Sequence, residues 1–317
     1  MGYNIAGLPA YTSQQSKVFI TRAILGASTI ALLTKFGAFD PTAKGSEAIQ
    51  LLDATVTIQD GSTCGRNPLG GATLTQAVLT VKELKINQNY CPKDLITTWA
   101  VEELKRTMAG LPYTDALFLE DIGKINSDKT AITLEKMIWI GDTTLTDVSL
   151  KQINGFLKQL ATIGVYNSST NVNGYINLNP AGDVGDGKIN TYLRNAIPLM
   201  PIEVKNQDDF RVLMGEDFEE RYLAELADKN LYRDPTQAGG TIWGTKYKYE
   251  AVPGLNGTNK IWAGRVSRLR AGGEMTAATF KKMWSVETEQ MYFDSHFSLG
   301  VVPVYAMEMG LGDFTDV

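Results

Sequence analysis

Two stretches of strict alternation flank a glycine-rich tip, and they constrain this 317-residue chain more than any other feature. From Asp53 to Gln59, Ala54, Val56 and Ile58 fall on one side and Thr55, Thr57 and Gln59 on the other. A period of two predicts a half-buried strand. A second such run spans Gln76 to Ile86, with Val78, Thr80, Lys82, Leu84 and Ile86 sharing a face. Between them lies a tip, Asp60 to Thr75, holding Gly61, Gly65, Gly70, Gly71 and Pro68. The prediction is a hairpin with a connection of about fifteen residues, a length that compact domains keep mostly for functional or disordered loops. A two-stranded ribbon is marginal in water by itself. Its apolar face therefore needs a cover, supplied by its own domain or by a neighbouring subunit.

The chain before the hairpin, residues 1–50, mixes Gly, Ser, Thr and short apolar runs and reads as an arm. Its most apolar run, Ala23 to Leu33, is far shorter than the roughly twenty residues that span a bilayer. Met1 to Ser16 carries no positive charge, so the lead-in lacks the basic region of an export signal. After Cys91-Pro92 the period becomes helical, with Ile96, Ala100, Leu104 and Met108 four residues apart, ended by Gly110 and Pro112. A longer helix is predicted from Asp115 to Trp139, about 37 Å at 1.5 Å per residue, and Gly141-Asp142 breaks it. Residues 145–265 read as mixed α/β. Helices are expected over Leu150–Leu160, Lys188–Leu199 and from Glu216, and strands over Phe210–Met214, Lys246–Val252 and Lys260–Gly264. A long alternating stretch through Trp284, Val286, Thr288, Gln290 and Tyr292 follows, then a last strand from Val301 to Met307. No internal repeat or low-complexity segment is found.

The chemistry-bearing residues are sparse. One His and two Cys remove most His-based catalysis and zinc chemistry, and two cysteines build no disulfide framework. The net charge of −5 speaks against a protein whose main work is gripping phosphates. Gly182 to Lys188 has the spacing of a phosphate-cradling loop, but Ile189 stands where the magnesium-holding Ser or Thr belongs. Asp183 and Asp186 would also set carboxylates against the phosphates. They lack the alternating ligands and closing Glu of a calcium loop as well. The segment reads as a turn capping a helix. Cys64 and Cys91 read as two free thiols, and His296, among Tyr292, Phe293 and Phe297, reads as structural. No catalytic, cofactor-binding or metal-binding residue is assigned.

The order of elements carries a resemblance. Ile58-Gln-Asp-Gly-Ser-Thr-Cys-Gly65, Leu79-Thr-Val-Lys-Glu-Leu-Lys-Ile86 and Tyr90-Cys-Pro-Lys-Asp-Leu95 resemble an extended loop and its exit. Trp139-Ile-Gly-Asp142 with Ile153-Asn-Gly155 resembles the end of a spine helix, and Gly300-Val-Val-Pro-Val-Tyr305 a closing strand. Over nearly its whole length the chain resembles the tailed-bacteriophage major capsid proteins of the Hong Kong 97-type fold.

That resemblance implies an α+β architecture in six parts: an N-terminal arm (1–50), an extended β-hairpin loop (51–90), and a peripheral domain with the spine helix (91–144). The axial domain (145–264), return strands of the peripheral domain (265–299), and closing strand with C-terminal tail (300–317) complete it. It implies a structural protein, not an enzyme, that self-assembles as pentamers and hexamers into an icosahedral head, located in the virion and assembled in the cytoplasm of a bacterial host. The partners implied are other copies of the chain, portal and scaffold proteins, and decoration proteins. Double-stranded DNA is enclosed without sequence-specific binding, and no membrane or cofactor is involved. The intersubunit contacts implied are Ala54, Val56, Ile58, Val78 and Leu84 on the hairpin and Arg66 at its tip, an arginine that reads equally as a solvated loop residue. Some relatives crosslink through a Lys in the loop; here none lies between Lys44 and Lys82, so no such bond is expected. The alternative within the fold is an encapsulin-like bacterial compartment shell holding an enzyme cargo.

Overall fold

The computed structural model describes residues 27–59, 69–90, 115–179, 188–231, 240–274, 279–285, 287–288 and 290–314. The segments singled out above at 95–108, at Cys64, Arg66 and Cys91, and at Asp183 and Asp186 lie outside these residues.

The organising element is helix α2, Asp115–Ile140, one residue longer than the periodicity predicts. Leu134, Met137, Ile138 and Trp139 near its end are buried. A short helix α1, Ser28–Lys35, lays Ile30 and Leu33 against this stripe, and helix α3, Phe156–Ile163, adds Phe156 and Leu160. The Trp139 and Phe156 rings lie 5.4 Å apart in a tilted pair, a favoured aromatic geometry. Glu135 is buried at the same junction. The Thr29 amide donates to its Oε2 at 3.0 Å and the Thr29 hydroxyl donates to its Oε1, while Trp139 Nε1 donates to Thr29 Oγ1 at 2.6 Å. A buried carboxylate is tolerable only when donors surround it in this way.

The helix exit explains two glycines of the Trp-Ile-Gly-Asp phrase and its sequel. A Cβ on Gly155 would sit 2.7 Å from the carbonyl oxygens of Ile138 and Trp139, and one on Gly141 would sit 2.6 Å from that of Ile153. The two backbones can cross only where neither residue has a side chain. Asp142 closes the turn. Its carboxylate accepts from the Thr144 amide and hydroxyl and pairs with Lys158 at 2.8 Å, which holds its pKa down at about 2.

Strand β11, Gln290–Pro303, runs the length of one five-stranded sheet. It pairs antiparallel with β10 (Thr279–Ser285), with β4 (Lys82–Tyr90), and further along with β9 (Leu269–Gly272), beside which β1 (Phe39–Asp40) lies parallel. Phe293, Phe297 and Leu299 point inward, while His296 is exposed opposite Lys85. The stretch expected as one alternating strand through Trp284 and Tyr292 is two strands joined by a turn, because alternation persists through the turn residues. The strand expected to begin after Gly300 is instead the continuation of β11.

A second five-stranded sheet has the order β5 (Ile176–Asn177), β12 (Met309–Asp313), β8 (Lys260–Arg265), β6 (Phe210–Met214) and β7 (Tyr249–Ala251). Helix α4, Ile189–Ala196, buries Ile189, Tyr192, Leu193 and Ala196, the i, i+3, i+4, i+7 stripe of an amphipathic helix. After the short α5, Ile202–Lys205, helix α6, Glu216–Asp228, buries Phe218, Tyr222 and Leu226. Phe314 packs edge-on to both Tyr192 and Phe218 at 5.3 Å. This second core is separate from the one around α2.

Candidate functional site

The hairpin stands apart from both sheets. Strand β2, Ser46–Thr55, pairs antiparallel with β3, Gly71–Thr80, from Ser46↔Thr80 to Thr55↔Gly71, forming a two-stranded sheet. The first strand therefore starts seven residues earlier than the alternation from Asp53 suggests. It also ends at Thr55, leaving Val56 and Ile58 beyond the paired ribbon.

Directly opposed residues of an antiparallel pair share a face, so the register sorts the ribbon into two surfaces. On one, Ile49, Ala77 and Leu79 pack with Ala43, Val81 and Val302 in a small core of their own. On the other, Ala48 faces Val78, Gln50 faces Gln76, Leu52 faces Leu74 and Ala54 faces Ala72. All eight are exposed. Leu52 is 61% exposed, Leu74 60% and Val78 51%, with Val56 at 85% and Ile58 at 97% continuing the apolar run toward the tip. Scattered surface leucines need no explanation, but a run of apolar side chains along one face, broken only by Gln50 opposite Gln76 and covered by none of the described residues, is the kind of surface that interaction sites use.

The register places Ala54 and Val78 on one face, and Val56 and Ile58 follow from its end. Arg66 lies outside the described residues. Leu84 does not belong to this surface. The predicted second strand is interrupted at Val81, and Leu84 belongs to β4, opposite Phe297, buried in the core around α2. The two leucines of the ribbon pairs, Leu52 and Leu74, escaped the sequence reading. The signal that could have found them is the backward continuation of the alternation through Gln50 and Ala48.

The base of the ribbon is seated on the end of β11. A Cβ on Gly300 would sit 2.9 Å from the Val81 Cα, so the β3–β4 corner crosses there because Gly300 has no side chain. Val302 lies under Leu79. The Val81 amide donates to the Gly45 carbonyl at 2.6 Å and closes the base of the hairpin.

Among the described residues no group of three or more His, Cys, Asp or Glu could hold a metal ion, and no helix is long and apolar enough to cross a membrane. Lys188, at the start of α4, is the part of the phosphate-loop-like segment that lies within the described residues.

Solved structures share this arrangement. A chain of the satellite phage P4 procapsid, whose assembly includes the size determination protein Sid, matches with a TM-score of 0.61 at 11% identity, covering 95% of this chain and 91% of that one. A chain from the capsid of a native GTA particle matches with a TM-score of 0.55 at 13% identity, covering 91% of each. One from Gordonia phage Cozz matches with a TM-score of 0.56 at 11% identity, covering 90% of this chain and 87% of that one. The fold is the Hong Kong 97-type capsid fold. No protein-family model matches the sequence, and no curated protein matches it. The capsid fold is therefore carried by the order and packing of the elements, at identities too low for residue-by-residue correspondence.

Proposed function

We propose that this chain is the major capsid protein of a tailed bacteriophage, a structural protein that builds the head shell around double-stranded DNA. The observation that carries this reading is the capsid fold extending over nearly the whole chain, together with a hairpin that presents an uncovered apolar face. On this reading pentamers and hexamers of the chain close the shell, since one heterologous contact repeated around rings generates closed assemblies. The hairpin face of Leu52, Ala54, Leu74 and Val78, with Val56 and Ile58, lies across a neighbouring copy, with Arg66 at the tip beside it. The division into arm (1–50), extended loop (51–90), peripheral domain (91–144 and 265–299), axial domain (145–264) and closing strand (300–317) belongs to the same proposal. So do portal, scaffold and decoration partners, and assembly in the host cytoplasm.

Electron microscopy and sedimentation of the full-length chain test this. Closed shells, or rings of five and six copies, are the expected result, with scaffold and portal supplied if the chain alone stays unassembled. A well-behaved monomer under all of these conditions would overturn it, and protein cargo in place of DNA in native particles would favour the compartment-shell alternative. Leu52→Asp is expected to block assembly while leaving the subunit folded. Each leucine covered by a neighbour is worth about 1.5–3 kcal/mol, multiplied over every contact in the shell.

A further inference from the structure

The Gly300–Tyr305 phrase does more than end a strand. Tyr305 holds φ 56° and ψ 64°, the left-handed region that a residue with a Cβ occupies only when its surroundings impose it. Its side chain reaches a strand 253 residues away in sequence. The Leu52 amide donates to the Tyr305 hydroxyl at 3.0 Å, and the hydroxyl donates back to the Leu52 carbonyl at 3.3 Å. Among the described residues strand β2 has no strand partner on the edge away from β3, and this hydroxyl satisfies the outward-facing pair of groups at that point.

The ring is itself braced. The Arg268 guanidinium lies 4.4 Å from its centre. Arg268 grips Glu308 in a two-pronged pair, Nε at 2.6 Å and a terminal nitrogen at 3.1 Å. Arg265 joins Glu308 at 3.4 Å to Asp209 at 3.1 Å. Ion pairs and a cation–π contact thus run from the start of β6 to the Tyr305 ring, whose hydroxyl reaches the ribbon.

Position gives the contact its meaning. On β2, the last residue packed against the body's small core is Ile49. Leu52 lies about 10 Å further along, at about 3.4 Å per residue. Among the described residues, the Tyr305 hydroxyl is what ties the ribbon beyond Ile49 to the body, and the ribbon's other face is solvent-exposed. We propose that Tyr305 is a positioning residue, a latch that sets the tilt of the hairpin against the body, with Gly300 and Val302 forming the pivot beneath it. The latch is two hydrogen bonds at the surface, strong enough to orient the ribbon and weak enough to open when a larger contact competes for it.

The inference concerns the single chain and stands or falls apart from shell assembly. Hydrogen exchange on the full-length protein and on Tyr305→Phe, matched in oligomeric state by sedimentation, tests it. Phe keeps the ring over Arg268 and removes only the hydroxyl. The expected result is exchange about five-fold or more faster in peptides covering 46–55 and 71–80, the scale of the small net contribution of two surface hydrogen bonds. Peptides covering 210–214 and 260–265 are expected to exchange unchanged, with the same thermal midpoint. Unchanged exchange in the hairpin would overturn the latch. Equal acceleration in the hairpin and in the body sheets would also overturn it, making Tyr305 an ordinary stabilising residue. Failure of the wild-type chain to assemble would remove the capsid reading and leave this result untouched.

Discussion

Glu135 is a carboxylate buried where three parts of the chain meet, and its surroundings give its ionisation a definite sign. Burial pushes its pKa above the ordinary carboxylate value of 4.5, against the pull of the Thr29 hydroxyl, the Thr29 amide and the Gly254 amide, with the Glu216 charge adding to the rise. A carboxyl whose folded pKa is raised binds its proton more tightly in the folded state. Its contribution is therefore full below the unfolded pKa and is lost as pH rises through the folded one. The stability advantage of the natural chain over Glu135→Gln is expected to be larger at about pH 4.5 than at about pH 8 in urea unfolding; a difference independent of pH would contradict this. Thr29→Val keeps the shape and the backbone amide but strips the hydroxyl donor from the carboxylate and the acceptor from Trp139 Nε1, at an expected cost of about 2 kcal/mol. Asp209 has the opposite sign. Burial raises its pKa, but the Ser267 hydroxyl and Arg265 outweigh that and leave it lowered. Its contribution is present above the unfolded pKa and is lost as pH falls through the folded one.

Elements meet in this fold through glycines placed where two backbones cross. Gly155→Ala would force a methyl against the carbonyls of Ile138 and Trp139, and is expected to cost about 2 kcal/mol or more in chemical denaturation. Gly71→Ala, on the ribbon with nothing within 4 Å of the added carbon, is expected to stay within about 0.5 kcal/mol of the natural chain. Equal losses at the two sites would refute this account of the helix exit. The long helix and the existence of a hairpin were legible in the sequence because their periods are sustained. The limits of the hairpin were not. Alternation continues through Val56 and Ile58 after pairing has ceased at Thr55↔Gly71, and nothing local marks Val81 as the corner that sends Leu84 into the core. Strand β12, Met-Gly-Leu-Gly-Asp, was missed for a physical reason. Its glycines weaken strand propensity, yet side chains at Gly310 and Gly312 would run into Leu178 and Tyr192. Tertiary crowding, invisible in a local window, selects them.

Among the described residues the molecule is a body with two large hydrophobic cores, a small one at the ribbon's base, and a ribbon whose second face is exposed. The capsid fold was legible from the order of elements, whereas the ribbon's exposed apolar face was only half legible, since Leu52 and Leu74 emerge from register and Leu84 departs from it. At this scale the absence of lysine between Lys44 and Lys82 gives a plain expectation. On the proposed capsid reading, boiled, reduced particles should run as a single band, and a covalent ladder would contradict this expectation. The position of β12 also bears on timing. It lies between β5 and β8, although the ribosome makes it well over a hundred residues after β5, and Phe314 just beyond it is wedged between Tyr192 and Phe218. The second core therefore cannot close while residue 314 is still inside the ribosome. A chain in translation has its hairpin residues out of the ribosome long before its second core can close, so the ribbon's sequence is made well before the body is finished.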